Sequence, residues 1–166
     1  MPLVKNGKAV ADPFTRLADE EPLPNCDPVI VSLERWQAER GRLLSREAPV
    51  GLRLRSDQSP VDLVEDLPHI ALIELEFPKF TDGRAYSYAR LLRERHGFTG
   101  ELRAVGNVLR DQLLFMHRCG FDSFEIARDD AAEIWRDAVA AFSVRYQPSN
   151  DGRPWASTLR RRHLAA

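Results

Sequence analysis

Short stretches of the chain alternate apolar and charged residues. Arg53 and Arg55 alternate with Leu52 and Leu54; Glu74 and Glu76 alternate with Ile73, Leu75 and Phe77. Arg103 stands between Leu102 and Ala104, and Glu125 between Phe124 and Ile126. A period of two puts each charged set on one face of a strand. Between these stretches the apolar spacing turns helical: Leu33, Trp36, Leu43 and Leu44; then Ala85, Tyr88, Ala89 and Leu92; then Leu109, Leu113 and Met116; then Ala131, Ile134, Trp135, Ala138 and Phe142. The pattern predicts strands at 29–31, 50–54, 69–77, 101–105, 122–126 and 143–147, with helices between them. A short helix starts at Ser59-Pro60, where Ser caps and Pro suits the first turn. Ser32 suits the cap of the first long helix, and Asp130 with Glu133 resembles a capping box before the last.

The repeating unit is therefore strand then helix, which implies a mostly parallel five- or six-stranded α/β sheet with right-handed crossovers. Two architectures fit: an open sheet, or a partial (β/α) barrel. Parallel sheets covered on both faces normally read as continuous apolar runs. A charged face argues for the barrel-like form, whose lumen can be polar. Its open edges would be covered by the terminal segments or by a second copy in a homodimer. Residues 1–27 are an N-terminal hairpin and linker, with Asn6-Gly7 as the two-residue turn and three prolines among many acids after it. Residues 28–147 are the α/β domain, and residues 148–166 a basic C-terminal tail read as solvated charge or as a docking peptide for an acidic partner.

Composition narrows the function. A length of 166 residues suits one domain with a real core. A formal net charge of −1 argues against a general nucleic-acid binder. No apolar run approaches the roughly 18 residues of a membrane span, and residues 1–12 lack a signal-peptide core. The expectation is a cytoplasmic protein that binds neither nucleic acid nor membrane. Cys26 and Cys119 are far apart, and the histidines, at 69, 96, 117 and 163, have no metal-ligand spacing. Cys119, before a helix-ending Gly, reads as a packed residue. Neither a G-x-G-x-x-G nor a P-loop sequence is present. The expectation is no cofactor.

Candidate chemistry gathers at the C-terminal ends of the third and fourth strands of the α/β domain. The loop from Lys79 to Arg84 precedes a helix, whose free N–H groups and positive dipole end suit an anion. Lys79 and Arg84 add charge, and Thr81 or Asp82 can cap. Arg103, Asn107 and Arg110 follow on the next strand and turn. Together they could hold a small oxyanion. Equally, the loop could be a capped turn with solvated charges, and Arg103 could pair with Glu74, Glu76 or Glu125 across strands.

Residues 77–126 also resemble a known family, most specifically in FPKFTDGR (77–84), GELRAVG (100–106) and RCGFD (118–122). It is a bacterial family of unknown function whose members are commonly encoded beside the assimilatory sulfite/nitrite reductase haemoprotein and labelled as oxidoreductases of sulfite reduction. Family members usually carry Asp where this chain has Asn107. The resemblance implies a place in assimilatory sulfur metabolism, with the haemoprotein as partner. With no haem or cluster ligand set in the sequence, the implied role is that of an accessory protein or subunit. The alternative is a small oxidoreductase or anion-binding enzyme using a barrel-mouth pocket.

Overall fold

The computed structural model describes residues 2–164. Eight strands form one sheet in the order β2-β1-β8-β7-β6-β5-β4-β3. In chain order they are β1 (Leu3–Lys5), β2 (Lys8–Val10), β3 (Thr15–Arg16), β4 (Val29–Ser32), β5 (Val50–Leu54), β6 (Leu72–Phe77), β7 (Glu101–Gly106) and β8 (Ser123–Glu125). From β3 to β8 every pairing is parallel; only the N-terminal hairpin is antiparallel. Helices α1 (Leu33–Leu44), α2 (Arg84–Arg90), α3 (Arg110–Cys119), α4 (Ala131–Ala140) and α5 (Ala156–Leu164) follow, with a π-helical turn over Leu91–Arg95 extending α2.

Chain connectivity forces the sheet to curl. β2 and β3 are its two opposite edges, yet only residues 11–14 join them. Eight flat strands at about 4.8 Å would hold the edges roughly 34 Å apart. Five Cα steps reach at most about 18 Å. The sheet therefore bends into a half-barrel, and residues 11–14 form a strap across its concave side.

The two faces differ as the alternation predicts. Val31, Leu52, Ile73 and Leu102 lie in register on one face, with Leu54, Leu75, Ala104 and Phe124 in the next row. This convex face joins Trp36, Ala89, Leu92, Leu113 and Met116 of the helices in one buried cluster. Burying such side chains stabilises by about 1.5–3 kcal/mol each. Ser32, Arg53, Glu74, Arg103 and Ser123 form a row on the opposite, concave face. Glu76 and Glu125 lie two residues further along the same face.

Local signals hold in several places. Asn6 and Gly7 both have positive φ, 52° and 74°, as a type I′ turn requires. Ser32 Oγ accepts the Arg35 N–H at 3.0 Å, and Ser59 Oγ accepts the Val61 N–H at 3.3 Å. Others do not. Asp130 makes no side-chain cap; its carboxylate pairs with Arg128 at 2.9 Å. Residues 143–147 form no strand. The place beside β8 that a sixth parallel strand would take is filled by β1, with Leu3 opposite Glu125. Val144 and Tyr146 are instead exposed while Arg145 is buried, and Phe142 lies outside the buried stripe of α4. Thr15–Arg16 is a strand within the stretch expected to be a linker, and α5 lies in the expected tail. No helix among the described residues is long and apolar enough to cross a membrane.

Candidate functional site

The concave face is built from paired charges. Arg103, on β7, is fully buried. Its guanidinium donates to both oxygens of Asp12, at 2.6 and 3.1 Å, and to Glu101 Oε1 at 3.0 Å. Glu74 Oε1, equally buried on β6, lies 3.5 Å away. The strap and β3 supply the other half of this cluster. Asp12 comes from the strap, whose Phe14 ring lies 5.9 Å from the Arg103 guanidinium carbon, and Arg16 of β3 donates to Glu74 at 2.5 Å and also to Glu125. One arginine thus joins carboxylates of β6 and β8 while standing on β3, which the curl of the sheet alone permits. Lys5 and Ser123 donate to Glu101, each at 2.6 Å.

These contacts set protonation. Burial pushes the Glu101 carboxyl up, but Lys5, Ser123 and the Arg103 charge outweigh it and hold it below the usual carboxylate range. Hydrogen bonds to Glu74 raise Arg16 against the cost of burial. Outside the lumen, the Arg40 hydrogen bond lowers Asp66, helped by the Trp36 indole N–H at 2.8 Å. Burial lowers His117 and pushes the buried Cys119 thiol up to about 11.

A pH prediction follows from the sign of these shifts. Depressed carboxylates contribute stability above their unfolded pKa, near 4, which is lost as pH falls through their folded values. A depressed His likewise favours folding above about pH 6.5 and loses that contribution on acidification. The thermal midpoint is expected to decline gently below about pH 6.5 and steeply below about pH 4.5. Circular dichroism melts across this range test it. His117→Gln should remove the first decline; a midpoint that rises on acidification would defeat the assignment.

At the mouth of the half-barrel, where β3, β4 and β5 end, the paired charges open into a cavity of about 380 Å³. Arg53 reaches it from β5, Arg55 from just past the end of that strand, Glu76 from β6 and Glu34 from the first turn of α1. Arg53 Nη2 lies 3.2 Å from Glu76, and Arg55 Nη2 lies 2.8 Å from Glu34.

The residues expected to hold an oxyanion do not form one cluster. Arg103 lies in the lumen, bound to carboxylates. Arg84 donates to Asp82, 2.6 Å at the nearest, and to Ser56 Oγ at 3.0 Å. Asp82 also accepts the Arg84 backbone N–H, and the Arg84 side chain lowers its pKa. Lys79 and Thr81 are exposed in the same loop. Asn107 and Arg110 line a separate cleft of about 710 Å³ beside Asp111, Arg128 and Asp130. Sequence reasoning missed Asp12 and Arg16. Their only signal was a short polar–apolar stretch among prolines, too brief to mark a strand.

The family model described as bacterial protein of unknown function (DUF934) matches residues 51–156. The chain belongs to this family. No curated protein matches it. The family block contains β5 to β8, and with them Arg53, Glu74, Glu76, Glu101, Arg103 and Glu125; the strap that supplies Asp12 and the strand β3 that carries Arg16 precede it.

Proposed function

We propose that this protein is an accessory protein of assimilatory sulfite reduction that acts with the sulfite reductase haemoprotein. The pathway comes from the resemblance carried by residues 77–84, 100–106 and 118–122, all inside the family block. The observation that carries a partner-binding role is a set of exposed apolar side chains in that same block, one of them anchored to the core. Phe80 and Leu109, both exposed, stand in the loops leading into α2 and α3, and Phe115 of α3 is 53% exposed. Phe115 packs on Tyr86 with centroids 4.8 Å apart and the rings tilted by 54°, and Tyr86 packs on core Phe77 at 4.9 Å. An exposed aromatic ring held against the core in this way suits a protein interface better than solvent does.

Deleting the gene should stop or slow growth on sulfate and spare growth on cysteine. Equal growth on both media would end the proposal. The haemoprotein should co-purify with the tagged wild type, and Phe80→Ser with Phe115→Ser should reduce its recovery at an unchanged unfolding midpoint.

A further inference from the structure

We infer that the cavity at the mouth of the half-barrel is a binding site for a small zwitterion, a free α-amino acid, rather than for a simple anion. The inference is independent of the sulfite-reduction proposal and rests on how the charges around the cavity are shared.

Each arginine that lines the cavity already has a carboxylate. Arg16 points its guanidinium inward to Glu74 and Glu125, leaving its stem as wall. Arg55 is held by Glu34 at 2.8 Å and Asp57 at 3.5 Å. Arg16 and Arg55 each have two carboxylates, whereas Arg53 has one, Glu76, in a single contact at 3.2 Å with side chains 43% and 24% exposed. An exposed pair of this kind holds by no more than about 1 kcal/mol, so a ligand can open it.

What can open it is decided by charge balance. A sulfate or sulfite ion that took Arg53 would strip Glu76 of its partner and set a new negative charge beside Glu76 and Glu34. A molecule carrying both a carboxylate and an ammonium exchanges partners without leaving a charge alone. Its carboxylate takes the planar fork of Arg53, the geometry that favours two parallel hydrogen bonds. Its ammonium donates to Glu76. Leu17 and Ile30 line the same cavity, Ile30 from the concave face, and give an aliphatic side chain an apolar surface. The volume of about 380 Å³ lies at the small end for ligand pockets, as a single amino acid needs.

The test is a thermal-shift screen of the full chain with the common free L-amino acids at millimolar concentration. Calorimetry would then compare the best binder with its deaminated acid, its decarboxylated amine, sodium sulfite and sodium sulfate. At least one amino acid should bind, and each analogue lacking one charge should bind at least tenfold more weakly, as should sulfite and sulfate. Arg53→Gln and Glu76→Gln should each abolish binding of that amino acid. Glu76→Gln keeps the test valid if Arg53→Gln does not fold. Binding of sulfite, sulfate or the deaminated acid as tight as that of the amino acid would overturn the inference. So would full binding by Glu76→Gln, or no binding of any amino acid at millimolar concentration.

Discussion

Arg103→Ala is expected to lower the unfolding free energy by about 3–5 kcal/mol, the range for breaking one side of a buried ion pair. Arg103 and Glu74 are both fully buried, and Asp12 and Glu101 lie within hydrogen-bond distance of the same guanidinium. Removing the cation leaves three carboxylates near one another in a space that water reaches poorly. Coulomb repulsion and desolvation then act in the same direction. The double variant Arg103→Met with Glu74→Leu should lose less than Arg103→Ala alone, because an apolar pair of similar volume leaves fewer charges unmatched. Urea denaturation of the three proteins measures both effects. An unchanged midpoint in Arg103→Ala would mean that the lumen network contributes nothing to the fold. The same experiment bears on the strap: if Asp12 is held mainly by Arg103, residues 11–14 should become protease-sensitive in the variant before the rest of the chain does.

Gly106→Ala should cost roughly 2–5 kcal/mol, from about 1–2 for a left-handed backbone and about 1–3 for overpacking. Gly106 ends β7 with φ at 90°, and a Cβ there would lie 2.6 Å from the Phe77 carbonyl oxygen. That oxygen also accepts the Asn107 N–H at 2.7 Å. Backbone rather than a flexible side chain stands in the way, so relief requires the ends of β6 and β7 to separate. The expected result is a lower denaturation midpoint and faster amide exchange at Asn107. A midpoint equal to wild type would show that the strand ends are free to move apart. Gly41 is the control: it lies in α1 with open space about its Cα, and Gly41→Ala should be neutral or mildly stabilising.

Much of the fold was legible from spacing alone. Period-two charge on 50–54, 69–77 and 101–105 identified strands with one polar face, the second of them starting only at Leu72, and helical spacing between them required parallel pairing. Local chemistry placed the Asn6-Gly7 turn and the Ser32 and Ser59 caps, because each depends on neighbours a few residues away. The expected strand at 143–147 failed for a tertiary reason: its apolar alternation is real, but the N-terminal hairpin already occupies the neighbouring edge of β8.

The candidate site divides along the same line. That Arg53, Glu74, Glu76, Arg103 and Glu125 share a face follows from periodicity, a property of the chain. Which of them meet is not. Arg84 turned to Asp82, two residues away, while Arg103 turned to Asp12, which is 91 residues distant. Arg16 reaches Glu125 across a gap of 109 residues only because a four-residue strap draws the two sheet edges together. The amino-acid sequence by itself determined the elements from β4 to α4, their parallel pairing and the polar face. Tertiary structure decided the curl, the pairing of charges and the cavity they leave, because these depend on distances between segments that no local pattern encodes.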